Sequence, residues 1–209
     1  MGVTLTAVYA RAPVPGAAKT RLIPALGAAG AASLHARLVQ RMLREAVDAG
    51  LGPVELWCAP DSAHPFFSAC AARFGVRLRT QAGADLGARM AHTVEQALSD
   101  AAAVLIVGSD IPALDAARLR RAADAVHAAD AVFIPAEDGG YVLVGLERPQ
   151  RGLFEGIGWG GAAVMDQTRA RASALGLRLA ELEPLWDIDR PEDLARLPAE
   201  LLAGLPVRQ

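Results

Sequence analysis

Cysteine is scarce in this chain: Cys58 and Cys70 are the only two in 209 residues. Two thiols cannot staple a fold, so a cytoplasmic protein held by ordinary packing is expected. Aromatic residues are also few, 5% against a hydrophobic content of 53%. The core must then be built chiefly from Ala, Leu and Val, which suits close helix-on-sheet packing. The four histidines, His35, His64, His92 and His127, are scattered without the spacing of a zinc site. Basic clusters are missing and the formal net charge is −2, which argues against general nucleic-acid binding. No apolar run approaches the roughly 18 residues that a membrane span needs. The N-terminus enters a strand-like segment with no signal-peptide layout.

One further absence is informative. No Asp or Glu precedes Glu45, whereas Arg11, Lys19, Arg21, Arg37, Arg41 and Arg44 all do. The far end is the reverse, with six acids in Glu181–Asp193 against one base, Arg190. A positive end suits phosphates and a carboxylate cluster suits a hard cation. Ordinary solvated faces would look the same, so position relative to the strands decides.

Apolar runs alternate with helical periodicity along the chain. Strands are expected at Val3–Tyr9, Val54–Cys58, Val76–Thr80, Val104–Val107, Ala131–Ile134, Tyr141–Leu146 and Leu177–Leu182. Helices are expected at Ala28–Ala49, His64–Phe74, Leu86–Asp100, Asp115–His127, Ala162–Leu175 and, opened by Pro191, Pro191–Leu197. Arg11–Gly27 and Arg148–Gly161 read as irregular. This alternation predicts one domain over residues 1–209, an α/β protein with a three-layer α/β/α sandwich and a mostly parallel central sheet. The closely spaced strand pair around Asp138 implies some departure from parallel order.

Two motifs fail on inspection. Pro15–Thr20 (PGAAKT) has Ala18 where a phosphate-binding P-loop needs Gly directly before Lys. Gly156, Gly158 and Gly161 spell GxGxxG, but no strand precedes them as a dinucleotide fold requires. Ser/His/Asp and Cys/His catalysis have no support beyond the presence of the residues.

What survives is a set of loops at strand carboxyl ends, where ligands sit in open α/β sheets. VLIVGSDIP (Val104–Pro112) runs from a buried strand into Asp110, which is either a ligand-facing carboxylate or a cap for the next helix. Arg11, Lys19 and Arg21 follow the first strand, with Gly16 allowing close backbone approach to a di- or triphosphate. Gln81, Asp85 and Arg89 leave the third strand and open a helix, where Asp85 could equally be a plain N-cap. Asp138, Gly139, Gly140 and Tyr141 (DGGY) form either a pocket wall or an ordinary tight turn. Trp159 is either a core anchor or a ligand platform. Asp187 and Asp189 flank Ile188 so that both can face one cation, with capping by Asp189 as the competing account.

The ordered segments ARAPVPGAAKTRL, QAGADLGARM, GSDIPAL, PAEDGGYVLVGL and DIDRPEDL resemble a bacterial family of nucleotide-diphospho-sugar transferases, the DUF2064 type. That family falls in the GT-A glycosyltransferase superfamily and has members linked to arsenosugar biosynthesis. The resemblance spans the chain from the first strand to about Leu197. It implies a GT-A fold and glycosyl transfer from a nucleotide-diphosphate sugar to a small-molecule acceptor, aided by Mg²⁺ or Mn²⁺. By the same resemblance Arg11, Lys19 and Arg21 hold phosphates, and Gln81, Asp85 and Arg89 shape the nucleotide and sugar pocket. Asp110 binds metal with Asp187 or Asp189, Asp138–Tyr141 line the sugar or acceptor side, and Asp138 or Asp189 serves as base. Molybdenum-cofactor nucleotidyltransferases and phospholactate guanylyltransferase share the scaffold, so nucleotidyl transfer from a nucleoside triphosphate is the alternative reaction. Relatives carry Ser-Thr-Pro after the tryptophan, whereas Gly160, Gly161 and Ala162 stand here. That loss of hydroxyls leaves a non-catalytic nucleotide- or sugar-binding protein as a third reading.

Overall fold

A computed structural model describes residues 2–207. Seven strands form one sheet in the order β3-β2-β1-β4-β6-β5-β7. They are β1 (Thr4–Arg11), β2 (Val54–Ala59), β3 (Arg77–Thr80), β4 (Ala103–Val107), β5 (Ala131–Pro135), β6 (Tyr141–Leu146) and β7 (Leu179–Glu181). Six helices accompany them: α1 (Ile23–Ala49), α2 (Pro65–Phe74), α3 (Leu86–Ala97), α4 (Ala116–Val126), α5 (Val164–Ala174) and α6 (Ala199–Leu202). β1 pairs in parallel with both β2 and β4. Only β6 is antiparallel to its neighbours, β4 and β5. The tight strand pair around Asp138 is thus a hairpin whose second strand is inserted between β4 and β5.

Alternation along the buried strands sends side chains to two cores. Leu105 and Val107 of β4 join Val8, Leu56, Val39, Leu43, Phe67, Leu119 and Val126 beneath α1, α2 and α4. Val104 and Ile106 join Leu5, Trp57, Phe133, Met90, Val94 and Met165 beneath α3 and α5. These are the three layers of an α/β/α sandwich. A third cluster seats Ile188, Leu194, Leu197 and Leu201 of the C-terminal segment on Leu22, Leu26, Leu34 and Leu38. That cluster brings the acidic stretch back to the chain's basic beginning.

Several local details depart from expectation. The stretch Thr20–Ala49 is long and apolar enough to cross a membrane by length and composition. Gly27 breaks it at φ 66°, ψ 166°. Its large apolar side chains pack on the sheet and the C-terminal segment, as in the core helix of a globular fold. Pro191–Arg196 winds as a 3-10 turn, and the short α6 follows it. Val164 begins α5 two residues late, and its N-cap Ala163 supplies no side-chain hydrogen bond. Gly160–Ala162 offer no hydroxyl to start the helix earlier.

Candidate functional site

Strand order reverses between β1 and β4. From β1 the chain steps outward through β2 to β3, then α3 returns it to β4 on the other side of β1. The two carboxyl ends diverge there and leave a crevice. A cavity of about 580 Å³ fills it, lined by Arg11, Lys19, Arg21, Gln81, Asp85, Arg89, Asp110 and Asp189 among others. Residues more than a hundred positions apart in sequence thus share one cleft.

Lys19 is the sole lysine of the chain, beside 20 arginines. Its backbone is left-handed (φ 48°, ψ 47°), the one non-glycine residue at positive φ among those described. Such strain persists where surrounding structure over-determines a functional conformation. Its side chain, 9% exposed, donates from Nζ to Asp110 Oδ2 at 2.6 Å and to the Ile188 carbonyl. The Ile188 N–H in turn donates to the Asp110 carbonyl at 3.0 Å. Asp110 does not cap α4, since Asp115 does so by accepting from the Arg118 N–H at 2.8 Å. Burial alone would raise the Asp110 pKa, but the Lys19 ammonium and its hydrogen bond hold it below the usual carboxylate range. The carboxylate is therefore ionised and free of a capping role.

His35 is a site residue the sequence reading passed over. It lies on α1 at 6% exposure and also lines the cavity. Its Nε2–H donates to the Arg11 carbonyl at 3.0 Å, which fixes the end of β1, and its buried Nδ1 has no partner among the described residues. Burial pushes its pKa down, so the ring is neutral. The available signal was a histidine on the helix face shared with Leu34 and Leu38.

A second cavity of about 370 Å³ adjoins the first through Arg21 and Asp189 and holds Asp138, Asp187, Trp186 and Gly160–Ala162. Arg21 pairs with Asp189. The cap at this turn comes from Asp193 and not Asp189: the Asp193 carboxylate accepts from the N–H groups of Asp189 (3.0 Å) and Arg190 (2.7 Å). A bridge between Ala136 and Leu185 continues the β5–β7 pairing and leads the segment to the site. Among the described residues no cluster of three or more Asp, Glu, His or Cys forms a ready-made metal cage. Asp187 nevertheless feels an excess of negative charge. Burial first, then Asp110 and Asp138, push its pKa from 3.8 up to about 6.

That shift has a measurable consequence. A carboxyl whose folded pKa is raised costs stability once it must ionise, so the cost is absent at low pH and complete above about 6. Asp187→Asn should therefore stabilise the metal-free protein by about 2 kcal/mol at pH 7.5 and by less at pH 5, read as melting temperature in chelator. An equal gain at both pH values would contradict the shift.

The other candidates also make contacts within the fold. Asp85 caps α3 through Oδ1 on the Ala88 N–H at 2.8 Å, yet it also faces the first cavity. Gly16, at φ 84°, turns the loop without lining that cavity, unlike Ala17–Arg21. The Tyr141 hydroxyl reaches Met90 Sδ at 3.6 Å, and its ring packs edge-on against Phe133 and Trp159. Trp159 sits against Gly87, where a Cβ would come within 2.8 Å of its ring. Neither Tyr141 nor Trp159 lines the two cavities. Asp138 Oδ1 accepts from the Gly140 N–H at 3.0 Å and steadies the hairpin turn. Gly139 lies so close to the Ala162 carbonyl that an added Cβ would meet it at 1.9 Å.

No match was found among curated proteins. Among solved structures, a protein from Desulfovibrio desulfuricans G20, provisionally named a nucleotide-diphospho-sugar transferase, is 30% identical with a TM-score of 0.84, covering 91% of this chain and 84% of that one. A nucleotidyl transferase from Methanothermobacter thermautotroptrophicus (TM-score 0.63, 16% identity, 95% and 97% coverage) shares the fold. So does 4-diphosphocytidyl-2C-methyl-D-erythritol synthase from Anaerococcus prevotii DSM 20548 (0.62, 10%, 95% and 98%). The family model described as "Uncharacterized protein conserved in bacteria (DUF2064)" matches residues 42–161. That match takes in more than half of the sequence, from α1 through β4 and the DGGY hairpin to the loop before α5, and the chain belongs to the DUF2064 family.

Proposed function

We propose that the protein is a transferase for nucleotide-activated substrates, and that it moves a glycosyl group from a nucleotide-diphosphate sugar to a small acceptor. The observation that carries this reading is the Lys19–Asp110 pair at the strand-order reversal, with Lys19 held in a left-handed backbone. A lone buried ammonium beside an ionised carboxylate can take a phosphate on one and a hard cation on the other. Arg11 and Arg21 extend the positive rim of the same cavity. The resemblance to the Desulfovibrio protein supports the donor class.

Asp110 and Asp187 would hold Mg²⁺ or Mn²⁺. The oxygen donors and the excess negative charge around Asp187 fit such an ion. A two-carboxylate set also suits Mg²⁺, which keeps waters and binds phosphate oxygens for its remaining positions. When bound, the ion neutralises charge that develops on the departing diphosphate. Lys19 and the arginines bind and orient the phosphates, and the second cavity receives the sugar or the acceptor. Asp138 is the better placed base, because Asp189 is engaged by Arg21 while one Asp138 oxygen has no partner among the described residues.

Nucleotidyl transfer is the second reading, favoured by the nucleotidyl and cytidyl enzymes that share the fold and by the acid-free first 44 residues. Product analysis with Mn²⁺ separates the reactions. Glycosyl transfer predicts nucleoside diphosphate released from a nucleotide sugar, by hydrolysis when no acceptor is present. Pyrophosphate from a triphosphate would establish the rival, and neither product would leave a binding protein.

A further inference from the structure

We propose that the nucleotide recognised here carries guanine, selected by Asp85 and Arg89; this rests on the nucleotide reading of the first cavity. That cavity runs from Asp110, beyond β4, past the end of β1 to the segment that follows β3. The charged residues at the Asp110 end suit phosphates. The far end is formed by Tyr9, Ala10, Gln81, Asp85, Leu86 and Arg89, and it has a different character.

Leu86 is 42% exposed, an apolar side chain left facing the cavity at the start of α3. With Ala10 and the Tyr9 ring it offers a platform for a flat heterocycle. The polar groups around it are partly used, and what remains sets a pattern. The Tyr9 hydroxyl is committed to the Arg89 carbonyl at 3.0 Å and to Thr93 Oγ1 at 2.6 Å. Gln81 donates from Nε2 to the Trp57 carbonyl at 2.8 Å, which turns Oε1 into its open acceptor. Asp85 spends Oδ1 on the helix cap and keeps Oδ2. Arg89 spends Nε on the Gly83 carbonyl at 3.3 Å and keeps both terminal nitrogens. Among the described residues none of these remaining groups has a partner.

Two open acceptors, one on a carboxylate, and one open guanidinium thus line the same cavity. Guanine answers that set: N1–H and the 2-amino group donate side by side, and O6 and N7 accept from an arginine. Uracil has a single N–H between two carbonyls, which would face the Asp85 and Gln81 oxygens unpaired. Cytosine and adenine each have one amino group flanked by a ring acceptor, so neither can present two adjacent donors to the Asp85 and Gln81 oxygens.

The test is calorimetry of the native protein with Mn²⁺ and GDP, IDP, ADP, UDP or CDP. GDP should bind at least tenfold more tightly than ADP, UDP and CDP. IDP, which lacks only the 2-amino group, should lose about tenfold relative to GDP. Asp85→Asn keeps the cap, since Asn caps as well as Asp. It should weaken GDP and favour xanthosine diphosphate, whose C2 carbonyl accepts where guanine donates. ADP, UDP or CDP within tenfold of GDP, or IDP equal to GDP, overturns the choice of guanine and leaves the nucleotide reading intact. Failure of every nucleotide to bind overturns both.

Discussion

Asp110→Asn is expected to lower donor turnover by about 10²–10³-fold, the size of effect seen when one preorganised charge partner is removed from a transition state. Asn keeps the shape of Asp but loses the charge that holds Lys19 at 2.6 Å and the second formal charge offered to a cation. Lys19 would keep the Ile188 carbonyl but lose its counter-ion while still 9% exposed. Two readouts should change together. Calorimetry should show nucleotide binding that no longer responds to Mn²⁺, and product release should fall. A variant that binds and turns over with the native Mn²⁺ dependence would show that Asp110 serves neither the metal nor Lys19. The N-cap of α4 should be untouched, because Asp115 provides it.

Gly139→Ala should cost the fold about 3–5 kcal/mol, through a left-handed residue forced against backbone. Gly139 sits at φ 92°, and a Cβ there would meet the Ala162 carbonyl oxygen at 1.9 Å. Neither partner can yield cheaply, since the Gly139 carbonyl also accepts from the Met165 N–H at 2.9 Å at the start of α5. For a chain of this length the loss corresponds to roughly 6–20 °C in melting temperature. Gly140→Ala is the control: its Cβ would meet only Asp138 Oδ1 at 3.3 Å and the Ala136 Cβ at 4.0 Å. A small effect at 140 and a large one at 139 would show that the hairpin glycines serve packing between two loops. Equal small effects would remove the close approach.

Much of this architecture was legible because strand and helix periods differ so plainly. Buried runs such as Val104–Val107 and Phe133–Ile134 alternate with helical spacing, and that suffices for a layered α/β fold. The segment order also placed Lys19, Asp110 and the Asp187–Asp189 stretch after strands whose ends face one edge. What stayed hidden depends on side-chain direction and on third parties. Asp110 could not be separated from a cap until Asp115 was seen holding Arg118. Tyr141 and Trp159 looked available for a ligand, yet they pack on each other, with Phe133 and Gly87 as their further partners. Asp187 and Asp189 flank Ile188 as expected, but one feels the Asp110 and Asp138 charges while the other pairs with Arg21. His35 read as an isolated histidine because its partner, the Arg11 carbonyl, leaves no trace in side-chain chemistry. The clearest unused signal was composition: one lysine among 20 arginines, at the position where the backbone is left-handed.

The central claim is that the cleft at the β1–β4 reversal binds nucleotide and metal together. Thermal melting with a saturating nucleoside diphosphate, with and without Mn²⁺, tests it most directly. Ligand at a hundred times its dissociation constant adds about 2.7 kcal/mol to the native state. With Mn²⁺ present, a rise of roughly 5–10 °C is expected, and a much smaller one in chelator. No rise with any nucleotide, or the same rise in chelator as in Mn²⁺, would contradict a metal-assisted nucleotide site at Lys19 and Asp110.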